Sequence, residues 1–182
     1  MDSFQLKALQ AVQQLNIYRR KGERAPHKPL LLLLALADAQ KHSERLHDFA
    51  DICRRLERLL VNFGTQRKQF HPEYPFWRLE RALWQVIPRT GVRMRKGHSD
   101  PPRSELIRVG ARGGLVEKLW DEIHRDSGFA SRIGAVVLHT YFPGAVHEDL
   151  LKAVGLTIPT AWTWPASMPP EVMGTRAAHA GA

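Results

Sequence analysis

The sequence predicts an α+β domain, mainly α-helical, with about six helices around a buried central helix and one short antiparallel β-hairpin. Three observations predict it. Residues 30–37 form an unbroken apolar run inside an otherwise polar neighbourhood. Several other stretches repeat apolar residues at helical spacing. Between them, residues 64–114 are punctuated by prolines and glycines, and helical periodicity fades.

Taken in order, Leu6, Leu9, Val12 and Leu15 recur at helical spacing, and Arg19, Arg20, Lys21 and Gly22 form a helix-ending signature. These predict a first helix over residues 4–20. Residues 22–28 read as a polar loop. Pro29 then opens a second helix that reaches Gln40, since proline is tolerated in a first turn. Its apolar residues cover nearly every face, so this helix belongs at the centre of the core. A third helix spans residues 48–63, with Phe49, Ile52, Cys53, Leu56, Leu60 and Phe63 on one face and Gly64 as its stop. Cys53 reads as core packing.

In the middle segment, residues 76–79 and 83–87 read as two short strands joined by a tight turn at residues 80–82. Residues 89–103 form a basic loop. Three helices follow, over residues 116–125, 129–141 and 147–154, closed by Gly128, Pro143 and Gly155. Beyond them apolar periodicity ends. The chain thus divides into a domain at 1–156 and a linker or tail, rich in Pro, Ala and Trp, at 157–182.

Composition narrows the function. The 182 residues are 43 % hydrophobic and 25 % charged, which excludes global disorder. The single cysteine excludes a disulfide framework and a cysteine zinc site. The longest apolar run is too short for a bilayer, and the N-terminus lacks the order of a secretion signal. A cytoplasmic protein with no membrane partner is expected. The net charge is +9, and the pI is near 10.2. Residues 64–114 carry 11 basic and 4 acidic side chains, whereas residues 115–182 carry 5 and 7. That concentration favours a polyanionic partner gripped by the middle of the chain.

Catalytic patterns are missing. There is no phosphate-cradling glycine loop, no nucleophile elbow and no metal-ligand histidine spacing. His147-Glu148-Asp149, and likewise Asp48 with Asp51, suit helix starts, where acids complement the dipole. No cofactor, no metal and no catalytic residue is expected.

Binding patterns are present. His27-Lys28-Pro29 lies at the start of the buried helix, where free N–H groups favour anions. Residues 71–78 crowd aromatics and prolines beside Arg67, Lys68, Arg78 and Arg81, a surface suited to a nucleic-acid strand. Arg112-Gly113-Gly114 would let backbone approach a ligand. The plainer readings are a capped helix, core packing and a simple turn.

Four motifs in order carry a resemblance: residues 25–33 (APHKPLLLL), residues 74–79 (YPFWRL), residues 110–114 (GARGG), and Tyr141-Phe142-Pro143 with His147-Glu148-Asp149-Leu150. Over roughly residues 5–156 the chain resembles the sulfur-binding domain that stands ahead of an HNH nuclease in McrA-type, type IV restriction endonucleases of bacteria. The resemblance implies a partner: double-stranded DNA with phosphorothioate linkages, docked by its major groove. Sulfur is larger and less hydrated than oxygen, so an apolar seat inside a cationic surface suits it. By resemblance, Tyr74 and Pro75 form the sulfur pocket, with Arg112 and Gly113 as its opposite wall. His27 and Lys28 contact the modified phosphate and nearby bases. Arg78 reaches backbone or base, and Arg67, Lys68 and Arg24 extend the basic surface. After residue 156 only His179 and no cysteine or asparagine remain. The chain is therefore expected to be a reader without the nuclease, acting near bacterial chromosomal DNA. The alternative is a winged-helix-like regulator of unmodified DNA. A small hydrolase and a protein-interaction domain are less favoured.

Overall fold

The computed structural model describes residues 1–20, 23–64, 70–97 and 100–159. Its first helix, α1 (Ser3–Gln13), is capped by Asp2, whose carboxylate accepts the Gln5 N–H at 2.8 Å. It ends seven residues earlier than expected at residue 20. Tertiary partners take over its last groups: the Tyr141 hydroxyl donates toward the Val12 and Gln13 carbonyls at 2.7 and 2.8 Å and accepts the Leu15 N–H at 3.2 Å. Glu80 then accepts the Asn16 N–H at 2.9 Å. Arg19 and Arg20 belong instead to a small antiparallel pair, β1 (Arg19–Arg20) with β2 (Glu23–Arg24).

Helix α2 (His27–Gln40) starts two residues before Pro29, which therefore still lies in the first turn, where no N–H donor is needed. It is buried from Pro29 through Ala39 and forms the centre of the core, as expected. Strand β3 (Leu46–Asp48) leads directly into α3 (Phe49–Phe63), with Asp48 at its N-cap position and Gly64 at its end. Cys53 is fully buried, and burial pushes its thiol up to about 11, which suits an inert packing group.

The expected hairpin is not formed. Residues 76–79 are not a strand: α4 (Glu73–Arg78) occupies this stretch, followed by Leu79 at its C-cap. Pro72 and Pro75 preset helical backbone angles at its start, and Pro75, Phe76 and Trp77 are all buried. A strand would turn alternate residues outward. The Trp84 indole N–H donates to the Phe76 carbonyl at 2.9 Å and ties the helix to the next strand.

That strand, β4 (Trp84–Ile87), is present as expected but finds a distant partner. After α5 (Arg103–Arg108), β5 (Arg112–Leu115) enters between β3 and β4 and is antiparallel to both. Trp84 faces Leu115, Ile87 faces Arg112, and Leu46 faces Gly114. The glycines of 113–114 are thus strand residues and not a turn. A Cβ on Gly113 would sit 2.6 Å from the Phe76 ring and 2.7 Å from the Trp84 ring. One on Gly114 would meet the Arg45 carbonyl oxygen at 1.7 Å.

The remaining elements fall close to their expected places: α6 (Glu117–Arg125), α7 (Phe129–Tyr141), a 3-10 turn at Gly144–Val146, and α8 (His147–Val154), closed by Gly155 at φ 71°. Helix α7 is buried over most of its length and packs against α1 and α2 as a second core helix. Leu156 is buried, and Thr157 exchanges two hydrogen bonds with the Gln40 side chain, at 2.7 and 2.8 Å. Most of the expected tail, residues 160–182, lies outside the described residues. Among the described residues no helix is long and apolar enough to cross a membrane.

Candidate nucleic-acid interface

A cleft of about 920 Å³ opens between the start of α2, helix α4 and the loop after β4. The helix positions its apolar floor. Tyr74 and Pro75 sit in the first turn of α4, whose Phe76 and Trp77 are anchored in the core. Pro75 is buried yet lines the cleft, and Tyr74 is half-buried. The His71 ring stacks on Tyr74 with centroids 5.1 Å apart.

Cations surround that floor. The Arg95 and Arg78 guanidiniums lie 5.1 and 5.4 Å from the Tyr74 ring centroid. Arg95 is fixed by Glu73, which accepts its Nη2–H at 2.8 Å and lies 3.2 Å from His71 Nδ1. Burial acts to raise the pKa of Glu73, but the bonds from Arg95 and His71 outweigh it and leave the group below its ordinary value. Glu73 is therefore a charged anchor beneath the aromatic floor. The same bond raises the pKa of Arg95. Arg89 lies 3.9 Å over the Trp77 ring and donates Nη1–H to the Trp77 carbonyl at 2.9 Å. Burial, aided by nearby Arg81, lowers its pKa.

Lys28 and Arg78 are likewise held in ion pairs. Lys28 Nζ lies 2.6 Å from Glu80 Oε1. Arg78 forks onto Asp100, with Nε–H donated to Oδ1 at 2.6 Å and a second bond from Nη2 to Oδ2. Lys96 and the largely exposed Tyr18 complete the rim. The result is carbon surface enclosed by fixed positive charge. It can seat a weakly hydrated atom while its neighbours are held by cations.

The structure brings His27, Lys28, Tyr74, Pro75 and Arg78, all named from the sequence, to the lining of one cleft. Arg24 is on β2, next to Ala25, which lines the cleft. Arg67 and Lys68 lie outside the described residues. The expected wall of Arg112 and Gly113 is not assembled here, because neither lines the cleft. Gly113 is buried in β5 against Phe76 and Trp84, and a side chain there would collide with both rings. Arg112 instead reaches toward β3, where it donates to Glu44 at 2.9 Å and to the Leu46 carbonyl at 2.6 Å. Arg89, Arg95 and Lys96 belong to a loop whose basic character is visible in the sequence, but no local pattern marks them one by one. Tyr18 falls within the over-long first helix that periodicity predicts, which hides it.

A family model described as ScoMcrA-like, DNA sulfur-binding domain, matches residues 5–158. Among solved structures, the sulfur binding domain of SprMcrA complexed with phosphorothioated DNA is similar at 28 % identity and a TM-score of 0.70, over 84 % of this chain and 94 % of that one. The sulfur binding domain of ScoMcrA complexed with phosphorothioated DNA is similar at 25 % identity and a TM-score of 0.72, over 81 % and 94 %. A ScoMcrA structure with both sulfur binding and SRA domains shares the fold at 24 % identity and a TM-score of 0.74, over 93 % of this chain and 51 % of that one. No curated protein matches the chain.

Proposed function

The chain belongs to the ScoMcrA-like DNA sulfur-binding domain family, and on that premise we propose that it is a non-catalytic reader of double-stranded DNA whose backbone carries phosphorothioate linkages. The observation that carries the reading is the Tyr74 ring, set beside buried Pro75 and close to two guanidiniums, Arg78 and Arg95 (5.4 and 5.1 Å).

In this reading the sulfur rests on Tyr74 and Pro75. Carbon surface strips its thin hydration at small cost, whereas a plain phosphate oxygen would lose strong hydrogen bonds to water. The linkage keeps its negative charge, which Arg95 and Arg78 face. His27 and Lys28, on the first turn of α2, reach the phosphate and adjacent base edges in the major groove. Lys28 offers a point charge and not a bidentate fork. Arg89, Lys96 and Arg24 extend the track along the backbone, joined by Arg67 and Lys68. Arg112 and Gly113 leave the pocket, Gly113 acting instead as the close-packed strand beneath α4.

The domain at 1–156, followed by the linker at 157–182, would target an HNH nuclease of a type IV restriction system in the bacterial cytoplasm. The winged-helix alternative is not favoured: the hairpin it needs between residues 76–79 and 83–87 is not formed, because residues 76–78 are helix. The test is a titration of one duplex in sulfur and oxygen forms at several salt concentrations. Tighter binding of the sulfur form at every salt supports the reading, and equal affinities overturn it.

A further inference from the structure

Two carboxylates line a cleft otherwise suited to anions, Glu80 and Asp100. Their settings differ. Asp100 is buried, and its carbonyl accepts the Arg95 N–H at 3.0 Å, so it braces the loop. Glu80 lies just past α4, with its side chain 24 % exposed. Its Oε1 receives Lys28 Nζ at 2.6 Å and the Asn16 N–H at 2.9 Å. Its Oε2 is buried and has no hydrogen-bond partner among the described residues. A carboxylate with one desolvated, unsatisfied oxygen is a poor strut. Meanwhile Lys28, with its side chain 13 % exposed, is neutralised before any DNA arrives.

We propose that Glu80 is an internal competitor for Lys28, which holds down the affinity of the cleft for any DNA backbone. This inference rests on the reading of the cleft as the DNA site. Phosphate affinity is independent of sequence, and plain chromosomal DNA offers vast numbers of competing sites. A domain of net charge +9 would be trapped on them. With Glu80 in place, a phosphate must share Nζ with the carboxylate or displace it, and the carboxylate repels the phosphate throughout. The apolar seat on Tyr74 and Pro75 does not run through Lys28. The competitor therefore lowers the background common to sulfur and oxygen backbones and leaves the gain from sulfur intact.

The test is Glu80→Gln, which keeps an oxygen for Asn16 and Lys28 and removes the charge. Oxygen and sulfur duplexes of one sequence are titrated against both proteins over a range of salt. Both duplexes should bind the variant roughly tenfold tighter, with their ratio unchanged. The slope of log K against log salt should steepen by about 0.9, the release expected for one further phosphate contact. In a Lys28→Gln background most of that gain should vanish. Unchanged affinity and slope in folded Glu80→Gln overturn the inference, as does a full gain without Lys28. Thermal melting checks the fold. If the new amide proves incompatible with Lys28, Glu80→Ala gives the same readout. The wild-type ratio of sulfur to oxygen affinity tests the parent reading separately, so either can fail alone.

Discussion

The Arg95 guanidinium lies 5.1 Å from the centroid of the Tyr74 ring while its Nη2 donates to the buried Glu73 at 2.8 Å. One loop residue thus covers the aromatic floor and is bolted to the carboxylate beside it. The ring is held between its own helix and the loop, so the apolar seat exists before DNA binds. Such preorganisation is what a small difference between two atoms, sulfur and oxygen, requires in order to be read.

Tyr74→Ala removes that seat. Binding of the sulfur duplex should weaken by about 1–2 kcal/mol, and of the oxygen duplex by clearly less. Fluorescence anisotropy on both duplexes checks this. Equal losses would assign Tyr74 to the fold and not to sulfur.

Gly113→Ala should act through stability. The new methyl carbon would lie 2.6 Å from the Phe76 ring and 2.7 Å from the Trp84 ring. Such overpacking costs about 1–3 kcal/mol and should lower the melting temperature. Because Phe76 belongs to the helix that carries Tyr74, both duplexes should weaken alike. Selective loss of the sulfur duplex with an unchanged melt would restore Gly113 to the pocket.

Much of the fold is legible in the sequence. The central helix declares itself through Leu30–Leu34, and α3 through one apolar face closed by Gly64. The features that escape depend on distant partners. The end of α1 is set by Tyr141, far along the chain. Phe76 and Trp77 favour strands locally, yet burial beside α2 and two prolines makes them helical. The glycines of β5 answer to Phe76, Trp84 and Arg45, contacts that no local pattern contains. In the cleft, Tyr74, Pro75, His27, Lys28 and Arg78 are readable as motifs. Arg95 is not, because its place depends on Glu73 and on how the loop closes.

Acid should loosen that loop. Glu105 accepts from Arg108, the main cause of its low pKa, and takes the Arg93 N–H at 3.0 Å; its pKa falls from 4.5 to about 2. A depressed folded-state pKa stabilises fully above pH 4.5, and the contribution is lost as pH falls toward 2. Glu105→Gln should therefore melt lower than wild type at neutral pH, with the gap closing across that window. A gap independent of pH would contradict the assignment.

Lys96 is exposed on the cleft rim. Lys96→Ala should weaken both duplexes equally and reduce the salt slope by about 0.9, with the melting temperature unchanged. An unaltered slope would remove Lys96 from the backbone track.

A seat on one side of the backbone must also sense handedness. A phosphorothioate linkage has two diastereomers, and only one can point its sulfur at Tyr74 and Pro75 while the other points oxygen there. The most direct measurement compares three duplexes of one sequence: all-oxygen, and each pure sulfur diastereomer. One diastereomer should bind tighter than both of the others, and Tyr74→Ala should erase most of its advantage. Indistinguishable affinities for all three would contradict an apolar sulfur seat in this cleft.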